Sequence, residues 1–340
     1  MGRGTTAPMI PRRPVPSLTG ALALCLAGLA FGAVMVGPYA LTPGQTLMAL
    51  LGRGDAQAEI VVWNIRLPRV AAALLVGAAL AAAGASYQAL FRNPLVSPDI
   101  LGVSAGAGLG AVAGIFLSLP VVAIQASAFA GGMVAVGLVT LVASLVRNTD
   151  RTLSLVLIGV VIGALAGAAT SLLKVMADPY DQLTAITFWL LGSLAAITAD
   201  DILPALPAVL IGLVPLALLR WRINVLSLGD EEARALGVEA GRTRFLVIAA
   251  ATLITASVTA LAGVVGWVGL VIPHIARMLV GPGFGRLLPV SVLIGAGYLL
   301  IVDTAARTIA QVEVPLGILT AVIGAPFFVW LLARGRRGWS

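Results

Sequence analysis

The sequence predicts an all-α polytopic membrane protein of about ten transmembrane helices, and two observations carry that expectation. Of the 340 residues, 60% are hydrophobic and only 10% are charged, far less charge than an ordinary soluble domain carries. The apolar residues also gather into roughly ten runs of about 16 to 25 residues, the length that crosses about 30 Å of hydrocarbon at 1.5 Å per residue. A mean hydropathy of +1.06 leaves too little polar surface to cover a globule. Disorder, a secreted disulfide scaffold and a soluble enzyme are excluded.

The first run, 18–37, follows Arg3, Arg12 and Arg13 and superficially resembles a secretory signal. Its apolar core is too long for one and further spans follow, so it reads as a retained first helix behind a tail, 1–17. Charge-free stretches then predict helices over 70–90, 100–118, 121–145, 153–173, 202–219, 245–268, 287–302 and 315–333, with a shorter segment at 269–280 holding His274 and Arg277. The tail 335–340 closes the chain. With the N-terminus in the cytoplasm, sixteen basic residues fall inside: Arg3, Arg12, Arg13, Arg92, Arg147, Arg151, Arg220, Arg222, Arg234, Arg242, Arg244, Arg277, Arg286, Arg334, Arg336 and Arg337. Five fall outside: Arg53, Arg66, Arg69, Lys174 and Arg307. That split obeys the positive-inside rule, places both termini in the cytoplasm, and explains the net charge of +7 without a nucleic-acid partner.

Glycine is arranged rather than scattered. Gly102, Gly106, Gly110 and Gly114 recur every fourth residue in one predicted helix, and Gly159, Gly163 and Gly167 in another; such ridges let helix backbones approach closely in lipid. Gly106-Ala107-Gly108-Leu109-Gly110 lacks the βαβ context of a dinucleotide fingerprint and reads as helix packing. A shift of 179 residues lays Gly84, Pro94 and Gly102 on Gly263, Pro273 and Gly281, which suggests an inverted five-helix repeat with halves of about 18–176 and 200–334.

Rare residues exclude chemistry. Lys174 is the only lysine and follows Leu173, so no phosphate-binding G-x-x-x-x-G-K-[ST] loop exists and the chain cannot hydrolyse ATP that way. Cys25 and His274 are single copies, which removes a Cys/His metal cluster, an intramolecular disulfide and a Cys-His nucleophile; no metal site is expected. Cys25 reads as packing and His274 as a satisfied structural group.

The least membrane-like stretch is 220–244. Asp230, Glu231 and Glu232 suit the start of a short helix, and Gly237 is placed to end it. Leu228, Ala233 and Leu236 give that helix a small apolar face, the makings of a docking peg for a partner subunit. Ala233 and Gly237 are small where the partner would approach.

Seven segments in order, Arg66-Leu67-Pro68-Arg69, Gly77–Leu80, Gln88–Leu95, Leu101–Ala107, Leu228–Val238, Gly269–Arg277 and Pro315–Phe328, together resemble the permease family that imports iron-siderophores, haem and cobalamin. The resemblance runs from about residue 60 to the C-terminus. It implies a type II ATP-binding-cassette importer of the bacterial inner membrane: ten helices per subunit, a second copy of the chain, two cytoplasmic ATPases that hold ATP and Mg, a periplasmic binding protein, and no cofactor on this chain.

Carried onto this sequence, the resemblance places Asn93, Leu95, Thr152 and Leu153 near the cytoplasmic gate, although Asn-Pro is also an ordinary turn and Thr152 a helix cap. It makes Gly229, Asp230, Glu231, Glu232, Ala233, Arg234, Leu236 and Gly237 the coupling element that transmits ATPase movement, and Arg66, Arg69 and Arg307 the arginines that meet glutamates of the binding protein. Snorkelling to headgroups is the plainer reading of those three. An ion-coupled secondary transporter would need ionisable groups inside the bundle, and the apolar runs offer little beyond Asp303, with Arg307 one turn away as its neutralising partner. A chelated metal is the expected cargo, with an oxyanion such as molybdate as the alternative.

Overall fold

The computed structural model describes residues 15–146 and 151–334; residues 1–14, most of the predicted N-terminal tail, and the predicted tail 335–340 lie outside the described residues, as do Arg147, Arg336 and Arg337. The chain forms helices α1 (Val15–Met35), α2 (Pro43–Leu50), α3 (Ala56–Ile60), α4 (Leu67–Leu90), α5 (Val103–Phe116), α6 (Val121–Leu145), α7 (Arg151–Met176), α8 (Gln182–Leu191), α9 (Ala199–Leu218), α10 (Arg220–Leu226), α11 (Asp230–Ala235), α12 (Ala240–Ala262), α13 (Val268–Val280), α14 (Phe284–Ala306) and α15 (Leu316–Arg334). Seven segments are long and apolar enough to cross a membrane: α1, the continuous stretch 56–90, α6, α7, α9, α12 and α14. With the shorter apolar helices α5, α13 and α15 they make the ten predicted spans; α8 is a further short apolar helix that the sequence did not announce.

Helix boundaries depart from expectation where polar residues are taken inside. The helix expected from 70 begins at Ala56, where Asp55 caps it by accepting from Ala58 N. It passes through a π turn at Val61–Arg66, in which Leu67 N–H reaches back to Val62 O, into α4. Arg66 and Arg69 read in sequence as solvent flanks of a span; both are buried, so the helix runs straight through them. The run expected at 100–118 is divided into a 3₁₀ turn, Pro98–Leu101, and α5, with Gly102 at φ +76 between them. The run expected at 245–268 stops at Ala262, and Gly263 (φ +71) and Trp267 (φ +70) turn the chain into α13. Cys25, read as packing, is exposed on α1.

The core is built on α4 and α12, most of whose length is buried; α1, α7 and α9 bury only a minor share of theirs. Glycine sets how closely the helices cross. A Cβ on Gly77 would stand 2.8 Å from the Gly295 carbonyl carbon of α14, and one on Gly84 would stand 2.6 Å from Gly269 Cα of α13. On α5 the predicted ridge is real: Gly110 lies against Ser127 and Gly114 against Ile124 of α6, at 2.7 and 3.2 Å from an added Cβ. The α7 ridge is only partly so. Gly159 abuts Leu101, but Gly163 and Gly167 face open space with nothing within 4 Å of a Cβ, so the expected packing of those two glycines within the chain is not found.

Helices α4–α7 and α12–α15 repeat one order of lengths, long, short, long, long: 24, 14, 25 and 26 residues, then 23, 13, 23 and 19. The first members run in opposite directions. Arg69 at the start of α4 bonds Glu313, which also accepts from Ser193, whose N–H in turn bonds Ala262 O at the end of α12. The 179-residue echo itself does not mark equivalent positions, because Gly84 lies inside α4 and Gly263 beyond the end of α12.

Candidate functional site

Three clusters hold the residues singled out in sequence. At the end of the bundle where α4 and α14 meet α1, the three arginines expected to face a binding protein come together, but turned inward. Arg69 makes two forked contacts, Nε and Nη2 to Asp303 Oδ1 at 2.9 and 2.8 Å, and Nη1 and Nη2 to the Glu313 carboxylate at 2.9 and 2.7 Å. Asp303 is fully buried. Its principal partner is Arg69; the neighbour expected from spacing, Arg307, stands farther off, Nε to Oδ2 at 3.8 Å.

Arg307 instead donates to Ala33 O at 2.8 Å, and Arg66 donates to Val34 O (2.8 Å), Met35 O (2.9 Å) and Tyr39 O. Two guanidinium groups thus satisfy the carbonyls that a helix leaves unpaired at its C-terminus, here that of α1, and sit at the negative end of its dipole. The three arginines, with Gly37, Tyr39, Gln311 and Glu313, surround a cavity of about 650 Å3. None snorkels, since each is no more than 7% exposed.

The opposite end carries the 220–244 loop. Its short helix forms where the acids predicted it, as α11, and Gly237 ends it at φ +76, with its own N–H on Arg234 O and Val238 N–H on Ala233 O. Asp230 pairs with Arg244 of α12 (3.0 Å), which fixes α11 to a core helix. Ala233 is fully buried against its own chain, so it is not the small surface residue expected to meet a partner. The surface around α11 is made by the flanking Leu228 and Leu236, 60% and 53% exposed, with Glu231, Glu232 and Arg234 of the helix beside them. Gly229 is buried at φ +138.

Between this loop and the core lies the Asn-Pro turn. Asn93 Oδ1 accepts from Leu95 N at 2.9 Å, an Asx turn, and Leu95 is 40% exposed. Asn93 shares a cavity of about 400 Å3 with Arg92, His274, Arg277, Asn224 of α10 and Ser227 just past its end, so the turn and the loop share one wall. Thr152, half-buried, and Leu153, exposed, stand at the start of α7 and do not line that cavity. His274 is not the satisfied group expected: its Nδ1 is buried with no hydrogen-bond partner.

Sequence reasoning missed Glu313, Gln88 and Asp99. Gln88 Nε2 donates to Leu270 O (3.1 Å) while its Oε1 accepts from Arg277 (3.0 Å), which ties α4 to α13. Glu313 could have been found as one of two acids, with Asp303, among the residues that separate the last two predicted spans. Among the described residues no group of His, Cys, Asp and Glu could hold a metal ion.

The model of the FecCD transport family matches residues 23–334. The chain is 39% identical over 328 residues to the molybdate import system permease protein MolB of Haemophilus influenzae, which covers 95% of this chain and 97% of that protein. It is 44% identical to the cobalamin import system permease protein BtuC of Halobacterium salinarum, over 81% of this chain and 74% of the relative, and 41% identical to the Fe(3+)-citrate import system permease protein YfmE of Bacillus subtilis, over 92% and 93%. A solved structure described as an inward-facing conformation of a metal-chelate type ABC transporter superposes with a TM-score of 0.87 at 38% identity, covering 94% of this chain and 99% of that one.

Proposed function

The chain belongs to the FecCD transport family, and from that premise we propose that it carries a chelated metal, as an iron-siderophore, haem or cobalamin, from periplasm to cytoplasm by alternating access. The chain is a multi-pass permease subunit of an ABC importer. Its motor is a separate pair of ATPases holding ATP and Mg, its membrane partner a second copy of itself, and its source of cargo a periplasmic binding protein. The single observation that carries the reading is α11: a short helix flanked by Leu228 and Leu236, which stay exposed among the described residues, and fastened through Asp230–Arg244 to α12, the most buried helix besides α4. Movement imposed there reaches the core directly.

In this scheme the α11 end is cytoplasmic and both termini lie on that side of the inner membrane. Gly229, Asp230, Glu231, Glu232, Arg234, Leu236 and Gly237 form the coupling element, with Ala233 as its buried footing. Asn93, Leu95, Thr152 and Leu153 gate the pathway on the cytoplasmic side. Arg66, Arg69 and Arg307 shape the periplasmic docking face by holding α1, α4, α14 and the 307–315 loop together rather than by presenting free guanidinium groups.

A molybdate-type oxyanion is the second reading, favoured by the near full-length likeness to the Haemophilus permease. Family membership leaves the ion-coupled alternative without support, and Asp303, the group it relied on, is paired. The test is reconstitution with the ATPase and binding protein in vesicles, followed by ATP-dependent uptake of cobalamin, ferric siderophore, haem and molybdate in parallel. Uptake of a chelate supports the first reading, uptake of molybdate alone the second, and uptake without the ATPase overturns both.

A further inference from the structure

The cavity of about 400 Å3 at the α11 end is walled by hydrogen-bond donors. Asn93 and Asn224 each turn the side-chain oxygen onto a backbone N–H, that of Leu95 at 2.9 Å and that of Phe284 at 2.7 Å. A backbone N–H can only donate, so neither amide can be reversed, and both NH2 groups are left without a partner among the described residues. Gln88 is fixed the same way: Nε2 donates to Leu270 O at 3.1 Å and Oε1 accepts from Arg277 Nη2 at 3.0 Å. That bond aims the Arg277 guanidinium and leaves its Nε and Nη1 to other partners.

His274 also lines the cavity, and its Nδ1 is buried with no partner. A bare ring nitrogen is easier to bury than an orphaned N–H, which puts the imidazole proton on Nε2. Arg92, in the turn after α4, has φ +51 and is exposed; this is the left-handed conformation that strains any residue with a Cβ. No acid answers these groups. Helices α4, α10 and α13 and the turn 91–97 contain neither aspartate nor glutamate, and Asp303, the single acid of α14, is at its far end with Arg69. Asp230, beyond α10, is bound to Arg244. The remaining side-chain acceptor in the wall is Ser227 Oγ, whose own proton goes to Asn224 O at 2.6 Å.

Convergent donors and positive charge with no counter-charge suit an anion with several acceptor oxygens. The depth of the cavity says where that anion comes from. Four spans end or begin around it, α4 at Leu90, α9 at Leu218, α13 at Val280 and α14 at Phe284. Leu218, Trp221 and Leu279 stand exposed at these ends, and Trp221 lies between Arg220 and Arg222, the composition of the boundary between lipid tails and headgroups.

We infer that this cavity binds a phosphate group, the headgroup phosphate of an anionic lipid in the leaflet at the α11 end, through Arg92, Arg277, His274 and the amides of Asn93 and Asn224. The bound lipid ties the ends of α4 and α13 and the start of α14 to the bilayer beside α10, whichever cargo is carried. A soluble phosphate offers the same oxygens, and the test separates the two sources. Delipidated, solubilised permease and its complex with the ATPase are titrated with phosphatidylglycerol, and bound lipid is counted by native mass spectrometry; dioleoylglycerol, which lacks the phosphate, is the control.

The parent chain and the complex bind phosphatidylglycerol and not dioleoylglycerol. Asn224→Asp keeps the oxygen that receives the Phe284 N–H but replaces the free amide donor by a negative charge. Arg92→Gly removes the guanidinium and relieves the left-handed strain together, so it tests the site without threatening the fold. Each weakens phosphatidylglycerol binding by about tenfold or more, the loss of one charge-assisted hydrogen bond, while Arg92→Gly melts like the parent. Displacement of the lipid by millimolar inorganic phosphate, in the parent and not in Asn224→Asp, keeps the site and makes its occupant a soluble phosphate. Undiminished lipid binding in both variants overturns the site. Binding by the permease alone and not by the complex shows that the ATPase covers the cavity, and overturns the lipid as its occupant.

Discussion

The two ends of this molecule use charge in opposite ways. At the arginine end, Arg66, Arg69 and Arg307 are buried, and they donate to Asp303, Glu313 and the carbonyls at and just after the end of α1, with Arg307 Nε left without a hydrogen bond. At the α11 end, Glu231, Glu232 and Arg234 stand in solvent around exposed leucines, and the Asp230–Arg244 pair is half open, with the aspartate 42% exposed. The arginine end is therefore a strut and the α11 end a handle. Arginines that flank a span in sequence are not by that fact surface residues; where a carboxylate and a helix C-terminus wait within reach, the guanidinium turns inward and the helix extends past it.

The largest expected effect breaks the strut. Arg69→Ala leaves Asp303 buried without its main partner and lowers stability by about 3–5 kcal/mol, read as a fall in the melting temperature of the detergent-solubilised protein. Arg69→Lys recovers only part of it, because an ammonium cannot fork to two carboxylates. A parent-like melt for Arg69→Ala would make the two ends alike after all.

Next comes the footing of the handle. Ala233→Leu overpacks a filled site and costs about 1–3 kcal/mol, and because α11 then lifts from α12, ATPase co-purification falls too. Gly106→Leu on α5 costs a similar amount, whereas Gly163→Leu on the open face of α7 shifts the melt of the single chain by less than about 0.5 kcal/mol. Equal melts for those two glycine variants would refute the distinction between packed and open ridges.

A smaller change sharpens the contrast. Asp230→Asn removes a partly exposed pair worth about 0–1 kcal/mol, and its effect on the melt shrinks further in high salt, while that of Arg69→Ala does not. Smallest for stability is Leu236→Asp, within about 0.5 kcal/mol, yet it abolishes retention of the ATPase on the solubilised permease. Retention at the parental level would show that the exposed leucines are not the handle.

How much of this was legible in the sequence follows from what each signal measures. Run length and charge gaps gave the spans, because a bilayer has one thickness. They could not give the start of the second span, since they read Arg66 and Arg69 as its border. α8 stayed hidden because ten apolar residues between Met176 and Ala199 are too short to count as a crossing. Glycine spacing found the α5–α6 seam but not the comparably close meetings of Gly77 with Gly295 and Gly84 with Gly269, which lie between helices distant in the chain. The loop 220–244 was read nearly as it is, because caps and acids act locally; that Ala233 faces inward depends on which side α12 lies, and no local pattern carries that.

The π turn at Val61–Arg66 sets a rule about counting. Each α-helical residue advances the side chains by about 100°, and a π turn takes up one residue that a regular helix would not hold. Within it, Trp63 Nε1 donates to Ala49 O at 3.0 Å, and upstream Asp55 caps the helix; downstream, Arg69 must meet Asp303. Losing the one extra residue would smooth the helix and leave the faces on either side of the turn nearly in phase, whereas losing a second would swing everything before it by about a quarter turn, so that Asp55 and Arg69 could not both keep their partners. The segment before the second span can vary in composition, and in length by no more than the residue the π turn absorbs.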